Sequence, residues 1–464
     1  MNLKPIFQPK SVAVIGATPN TTKIGHVILR GLIKSFPGSI YPVNPNYKEI
    51  MAFDCYKTVK DIKGKVDLAV VAIPAPYVPK VIKQCGQKGV KGAIVISGGF
   101  KEVGNEKLEE ELGKTANKYN IPIIGPNCLG TLDNYSGVDT IFNPRYKMNR
   151  PRQGGISFIT QSGAVGAVVM DWAGHRGFGV SKFISYGNAV NTDEVDLLNY
   201  LYKDKNTDVI CMYIEGTRRG KELMQTAKKV SKKKPIIAIK SGWSEQGAQA
   251  VASHTGSLAG SNKVWESAFK QAGIIQAKQI DAMFHYARLF AEQPLPKNDR
   301  VAIVTNGGGF GVMATDACTY YGLKMAELEE KTLNNLRKKL PAYAVFRNPL
   351  DLVGDADAER YRLALEGVMK DKNVDSVICI LLFQTTDLGS EVVEVVSEIN
   401  EKYDKPLIVC SAGGEYAQLH ARLLEETGIP TYETLEDGAR SLAAATFYED
   451  FLSAPVSIPH KIKR

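Results

Sequence analysis

The stretch Val12-Ala13-Val14-Ile15-Gly16-Ala17-Thr18-Pro19-Asn20 decides how this chain folds. A short apolar, largely β-branched run ends at a glycine, which is typical of a buried parallel strand that turns sharply into a helix. Backbone amides at such a turn and at the helix start can bind phosphate groups. The stretch therefore predicts a parallel α/β sheet with an anion-binding crevice at its carboxyl edge.

The same alternation of short β-branched runs and longer amphipathic segments continues along the 464 residues, and it is the pattern of βαβ units. Two polar, proline-containing stretches interrupt it, one from Asn143 to Arg152 and one from Gln293 to Asn298. We predict three consecutive doubly wound α/β domains. The first is a Rossmann-like domain over 1–145, and two flavodoxin-like domains follow over 146–294 and 295–464.

Composition excludes several functional classes. The chain is 44% hydrophobic and 23% charged, and no apolar run approaches the roughly 20 residues that span a bilayer. Its start lacks the apolar core of a signal peptide, so we expect a cytoplasmic protein without membrane attachment. Seven cysteines stand singly, which predicts neither a metal site nor disulfides. The net charge of +9 is spread along the chain, which favours polyanionic small molecules over nucleic acid.

The crevice of the first domain differs from a dinucleotide site. The second and third glycines of that fingerprint are missing, and the second strand ends in Asn44, where an acid would bind the ribose. We therefore expect a phosphate-bearing adenylate ligand other than a nicotinamide dinucleotide, although glycines and prolines also simply make tight turns. The predicted cofactor-binding residues are Gly16, Ala17, Thr18, Pro19, Asn44, Pro45, Ile73, Pro74, Ser97, Gly98 and Asn127.

Two further loops resemble anion sites. Thr160-Gln161-Ser162-Gly163-Ala164 and Thr305-Asn306-Gly307-Gly308-Gly309-Phe310-Gly311 each follow a strand and open a helix. Free amides at two helix starts would bind one phosphoryl group if they converged. The predicted phosphate-binding residues are Gln161, Ser162, Gly163, Gly308 and Gly309.

A lone histidine lies among small residues in Ser253-His254-Thr255-Gly256-Ser257. An imidazole near neutral pH can attack as a nucleophile and carry a transferred group, so His254 is the predicted catalytic residue. Glu215, at a predicted strand end, is the predicted carboxylate that orients its ring. Alternatively, His254 lies in an ordinary surface turn and Glu215 caps a helix.

These residues together resemble the α subunit of ADP-forming acetyl-CoA synthetase (acetate–CoA ligase), a relative of succinyl-CoA synthetase. Phe7 to Ala17 resembles the CoA-binding opening of that family, Gly125-Pro126-Asn127-Cys128-Leu129-Gly130 its next signature, and Ser253 to Gly260 its phosphohistidine loop. The resemblance implies that CoA or acetyl-CoA occupies the crevice and that the phosphoryl group of inorganic phosphate passes to His254. It also implies a third domain similar to one on the other subunit of succinyl-CoA synthetase.

The resemblance further implies a partner, because the chain contains no Walker-type loop and no stretch that we identify as an ATP-grasp domain. We expect a β subunit with an ATP-grasp domain, ADP or ATP and Mg²⁺ bound there, and an α2β2 heterotetramer. The implied reaction converts acyl-CoA, ADP and phosphate into the free acid, CoA and ATP. Two alternatives stay open: a non-catalytic CoA-binding regulatory protein, and a succinyl-CoA synthetase-type ligase for another acid.

Overall fold

In the computed structural model, residues 1–244, 246–247 and 261–454 are described, and the chain divides into two compact units. The first unit is Met1–Ile280 and the second begins at Asp281. The predicted α/β class and the parallel sheets are confirmed. The predicted domain boundaries remain predictions.

The first sheet lies at the amino end of the first unit and has the strand order β2-β1-β5-β6-β7, with all neighbours parallel. The small hairpin β3-β4 lies outside it. These strands are β1 (Ser11–Ile15), β2 (Ser39–Val43), β3 (Glu49–Ile50), β4 (Phe53–Asp54), β5 (Leu68–Val71), β6 (Gly92–Val95) and β7 (Ile123–Ile124). The helices are α1 (Lys4–Phe7), α2 (Ile24–Ser35), α3 (Val78–Lys88) and α4 (Glu106–Lys118).

Strand β1 is buried on both faces, as its continuous apolar sequence predicts. Val12 and Val14 pack in one core cluster with residues of α2, and Ala13 and Ile15 pack in another with residues of α3 and α4. Helices therefore cover both faces of the sheet. This arrangement leaves the carboxyl edge of the strands as the open edge where a ligand can bind.

A second sheet in the same unit has the order β14-β13-β12-β10-β11-β8-β9. Its strands are β8 (Thr131–Asp133), β9 (Val138–Asp139), β10 (Arg152–Thr160), β11 (Gly179–Ser185), β12 (Val209–Ile214), β13 (Ile236–Lys240) and β14 (Ile274–Gln276). Its helices are α5 (Gly163–His175), α6 (Glu194–Lys203), α7 (Gly220–Ser231) and α8 (Asn262–Ala272). The sequence analysis did not predict four of these strands, β8, β9, β11 and β14. Three of them have only two or three residues, and Lys182 interrupts the apolar run of β11. Strands β8 and β9 also pair antiparallel.

The second unit repeats the doubly wound plan, with the strand order β16-β15-β18-β19-β20 and β17 paired to β15. Its strands are β15 (Arg300–Thr305), β16 (Lys324–Met325), β17 (Leu350–Asp351), β18 (Ser376–Ile380), β19 (Leu407–Cys410) and β20 (Thr431–Tyr432). Its helices are α9 (Ile280–Glu292, which starts at the last residue of the first unit), α10 (Gly308–Tyr320), α11 (Glu330–Arg337), α12 (Ala358–Lys370), α13 (Glu391–Lys402), α14 (Glu415–Glu426) and α15 (Leu435–Ser453).

Backbone contacts join the two sheets of the first unit at their carboxyl ends. The amide of Asn188 donates to the carbonyl of Pro126 at 3.0 Å, and that of Val190 donates to Gly125 at 3.0 Å. Gly187, just after β11, has a φ of 51°. A Cβ atom there would overlap the carbonyl oxygens of Pro126 and Asn127, so only glycine lets the two chains approach this closely.

We expect Gly187→Ala to destabilise the protein by about 3 kcal/mol, because the left-handed backbone and the overlap with two carbonyls both oppose a methyl group. Chemical denaturation measures this change. Gly89→Ala is the control, since Gly89 also has a positive φ of 82° but has no atom within 4 Å of an added Cβ. Equal losses of stability in the two variants would contradict the argument that a Cβ at position 187 overlaps the two carbonyl oxygens.

A buried charge network lies within the second sheet. The ammonium of Lys182 is completely buried and lies 2.7 Å from a carboxylate oxygen of Asp204 and 3.4 Å from one of Asp133. The hydroxyl of Thr207 donates to Asp204 at 2.5 Å. Burial raises the pKa of Asp133, and the positive charge of Lys182 opposes that rise. The network therefore ties β8 to β11 and to the segment after α6.

We expect Lys182→Met to cost about 3–5 kcal/mol at neutral pH, because two carboxylates lose the cation that compensates their burial. The deficit should shrink as the pH falls into the acid range, because burial raises the pKa of Asp133 and the variant lacks the positive charge that opposes this rise, so that this carboxyl group takes up a proton and loses its charge. Urea titrations at several pH values test both statements. Lys114→Met removes an exposed pair with Glu110 and should change stability by less than about 1 kcal/mol.

Candidate active site

The carboxyl ends of the two sheets in the first unit border one cavity of about 1110 Å³. This is the edge at which parallel α/β sheets bind ligands, and the volume is large enough for a cofactor-sized molecule. Six of the residues predicted from sequence line it: Gly98, Asn127, Gln161, Ser162, Gly163 and Glu215. The structure thus brings predicted cofactor-binding, phosphate-binding and catalytic residues to one place.

The other predicted cofactor-binding residues lie at the ends of β1, β2, β5 and β6, along the same edge of the first sheet. Several of their polar groups hold the turns in place. The side-chain amide of Asn44 donates to the carbonyl of Ala17 at 2.8 Å, and the hydroxyl of Ser97 donates to the carbonyl of Ile73 at 2.6 Å. Asn44 therefore fixes the turn after β1, which is a structural role that the sequence analysis did not predict.

The turn after β1 also depends on a glycine that the sequence analysis passed over. A Cβ at Gly25, in the first turn of α2, would overlap the carbonyl of Gly16. Gly25 thus supplies the close helix–strand approach that the third fingerprint glycine provides at shorter spacing in dinucleotide sites. The longer interval between Gly16 and Gly25 explains why the usual spacing did not identify it.

Glu102 organises the loop after β6, and the sequence analysis did not predict it as a site residue. Its carboxylate accepts from the amides of Gly99 at 2.5 Å and Phe100 at 3.1 Å, and from the side chain of Asn188 at 2.6 Å. Burial alone would raise the pKa of Glu102, but these hydrogen bonds outweigh burial and lower it. Glu102 and Asn188 both line the cavity. They lie 86 residues apart, so no local pattern could pair them.

The loop between β10 and α5 positions the predicted phosphate-binding residues. The hydroxyl of Thr160 donates to the carbonyl of Ser162 at 2.9 Å and accepts from its amide at 3.1 Å. The side chain of Ser162 caps α5 by accepting from the amide of Val165. The cap orients the first amides of α5 at the cavity wall, where the helix dipole favours an anion.

Gln161 links this loop to Glu215. Its side-chain oxygen accepts from the amides of Glu215 and Gly216, the latter at 3.2 Å, and its side-chain nitrogen donates to the carbonyl of Gly216 at 2.9 Å. We call this set of contacts the Gln161 clamp. It fixes the end of β12, and with it Glu215, beside the N-terminus of α5.

Two more charged residues line the cavity beside Glu215. Arg218 donates to the carbonyls of Asn188 at 3.1 Å and Ala189 at 3.0 Å. Glu194 is 2% exposed, and burial raises its pKa while a hydrogen bond from Thr217 lowers it. The lining of the cavity therefore combines carboxylates, a guanidinium and the N-terminus of α5.

Gly308 and Gly309 belong to the second unit, where they are the first two residues of α10. The turn before them repeats the one before α5, since the hydroxyl of Thr305 donates to the carbonyl of Gly307 at 3.1 Å and accepts from its amide at 3.0 Å. Asn306 takes the place of Gln161 and holds the backbone of Leu382. His254, the predicted nucleophile, lies outside the described residues.

Comparison with known proteins gives three family matches. Sequence models for a CoA binding domain, a succinyl-CoA ligase like flavodoxin domain and a ligase-CoA domain match residues 10–133, 153–290 and 301–448. In the part of the chain that the structure describes, no helix is long and apolar enough to cross a membrane.

Curated relatives match nearly the whole chain. The α subunit of acetate–CoA ligase [ADP-forming] II from Pyrococcus furiosus is 42% identical over 94% of this chain and 96% of its own length. Acetate–CoA ligase [ADP-forming] I from Archaeoglobus fulgidus is also 42% identical, over 92% of this chain, but this chain spans only 61% of that longer protein.

A solved structure agrees with these sequences. The dinucleotide forming acetyl-coenzyme A synthetase 1 of Ca. Korarchaeum cryptofilum, in complex with phosphate and ADP, superposes with a TM-score of 0.93. It is 37% identical, and the match covers 97% of this chain and 98% of that one. The chain therefore belongs to the family of ADP-forming acetate–CoA ligases, and it matches the α subunits of that family along almost their entire length.

Proposed function

We propose that this chain carries the CoA, acyl and phosphate chemistry of an ADP-forming acetyl-CoA synthetase. Acyl-CoA, ADP and phosphate give the free acid, CoA and ATP, with acetyl-CoA as the thioester. The observation that carries the proposal is the cavity in which the edge of the CoA binding domain meets the N-terminus of α5 and the clamped Glu215. The relatives named above favour this function over a regulatory CoA-binding protein or a ligase of the succinyl-CoA type.

The first chemical step takes place at the N-terminus of α5. An oxygen of phosphate attacks the thioester carbonyl, the carbon–sulfur bond breaks, and the CoA thiolate leaves and takes up a proton. The product is an acyl phosphate. The hydroxyl of Ser162 and the amide of Gly163 would donate to the negative charge that develops on the phosphate, at the helix start that favours an anion.

In the second step a ring nitrogen of His254 attacks the phosphorus atom, and the acid leaves as its carboxylate. Glu215 would accept the N–H of the other ring nitrogen, which orients the imidazole and stabilises its positive charge. The Gln161 clamp supports this role because it fixes the backbone that presents Glu215 to the cavity. We also propose that Gly308 and Gly309, at the start of α10, bind phosphate.

ATP formation would take place on a partner. We propose a β subunit with an ATP-grasp domain that binds ADP and Mg²⁺, in an α2β2 heterotetramer in the cytoplasm. The names of the Pyrococcus furiosus relatives as α subunits support a second subunit. The greater length of the Archaeoglobus fulgidus relative also supports it, because a single chain can then contain both parts.

We expect the purified chain, given acetyl-CoA and radiolabelled phosphate, to acquire an acid-labile, base-stable label, because phosphohistidine has that stability. The label should be absent from His254→Ala and unchanged in His175→Ala, which alters an exposed histidine at the end of α5. The chain alone should form no ATP, and the complex with its β subunit should. A label that persists in His254→Ala would exclude the proposed intermediate.

We expect Gln161→Ala to lower kcat about 100-fold, because a carboxylate displaced by about 1 Å no longer orients the attacking ring. Steady-state kinetics of the α–β complex measure this effect. Gln153→Ala, at the exposed opposite end of β10, should keep the kcat of the wild type. An unchanged kcat in Gln161→Ala would show that the clamp does not position Glu215 for catalysis.

A further inference from the structure

Strand β13 has a buried lysine at its carboxyl end. Lys240 is only 4% exposed, and it is the last residue of the strand. Its ammonium donates to the carbonyl of Ser241 and lies 5.4 Å from the centre of the Trp265 ring on α8. One carbonyl and one aromatic ring compensate a buried ammonium only in part, so an apolar residue would be expected to fit this position at no cost in stability.

The end of β13 lies beside the end of β12. The two strands are parallel neighbours, with Ile214 opposite Lys240, so Glu215 and Ser241 are the next residues on each chain. The amide of Ser241 donates to the carbonyl of Ile214 at 3.0 Å. Lys240 therefore ends the strand next to Glu215, whose backbone the Gln161 clamp holds at the cavity.

The charges of Lys240 and Glu215 influence each other, as expected for residues at the ends of neighbouring strands. Burial lowers the pKa of Lys240, and the negative charge of Glu215 acts in the opposite direction. The charge of Glu215 also acts on two phenols, those of Tyr186, just after β11, and Tyr213 on β12. Burial raises the pKa of both phenols, and the negative charge of Glu215 raises it further. Lys240 is the cation among these three groups, and Arg218, which lines the same cavity beside Glu215, is a second cation.

We propose that Lys240 is a positioning residue for the phosphoryl transfer: its ammonium compensates the charge of Glu215 and keeps that carboxylate ionised and in place. The inference rests on the proposed role of Glu215. A positive charge behind the carboxylate favours its ionised form, which is the form that accepts an N–H from the imidazole. The same ammonium holds the carbonyl of Ser241, the first residue after β13.

The test is the pH dependence of kcat/KM in the α–β complex. Lys240→Gln keeps a hydrogen-bond donor but removes the charge, so the pKa of Glu215 should rise. We then expect the acid limb of the profile to move to higher pH by about one unit or more. Lys240→Arg keeps the charge and should retain the acid limb of the wild type.

Lys234 provides a matched control, because it lies two residues before the opposite end of the same strand. It is 6% exposed, donates to the carbonyl of Leu201 at 2.7 Å, and burial lowers its pKa to about 8. Lys234→Gln should lower the free energy of unfolding without moving the acid limb. This control separates the loss of a buried lysine from the loss of the charge behind Glu215.

Three outcomes decide the proposal. An acid limb that moves in Lys240→Gln but not in Lys240→Arg or Lys234→Gln supports it. If the acid limb stays in place in Lys240→Gln while the separate variant Glu215→Gln is inactive, the proposed role of Lys240 is overturned and the proposed function stays intact. Full activity of Glu215→Gln overturns the proposed role of Glu215, and this inference with it.

Discussion

Hydrogen bonds between residues 125–130 and 185–190 join the carboxyl ends of the parallel strands in two sheets, and the cavity depends on these bonds. The contacts are mostly between backbone atoms, and they require a glycine at position 187. Asn188 adds side-chain contacts with Glu102 and Glu109 on the first sheet's side. Because parallel strands all end at the same edge, one such junction aligns many strand-end residues at once.

The same type of turn between a strand and a helix occurs at two places in the described residues, before α5 and before α10. A threonine hydroxyl closes the turn before α5 and again before α10, and the next residue uses its amide side chain to hold a neighbouring strand end. In the first unit that amide is Gln161 and it holds Glu215; in the second unit it is Asn306 and it holds Leu382. The repeated geometry exposes helix-start amides, which is a general solution to anion binding.

The buried lysines in and beside the second sheet differ in how their positive charges are compensated. Lys182 is matched by two carboxylates, and Lys234 donates to the carbonyl of Leu201 in the last turn of α6 and to that of Asp204 just after it. Both therefore have structural partners that account for their burial. Lys240 has weaker compensation and lies beside Glu215, so its burial is better explained by the chemistry of the site than by the stability of the sheet.

The sequence by itself determined the α/β class, the parallel strands and the strand-end loops, because continuous apolar runs ending in glycine are local signals. It also predicted Gln161, Ser162 and Glu215 as site residues, because they follow such runs directly, and all three line the cavity. Only the tertiary structure decided that Asn44 holds a turn, that Gly25 replaces a fingerprint glycine, and that Glu102 pairs with Asn188. It also placed Lys240 at the end of the strand next to the one that leads into Glu215. These relations join residues far apart in the chain, and they depend on side-chain direction and strand pairing, which no local pattern contains.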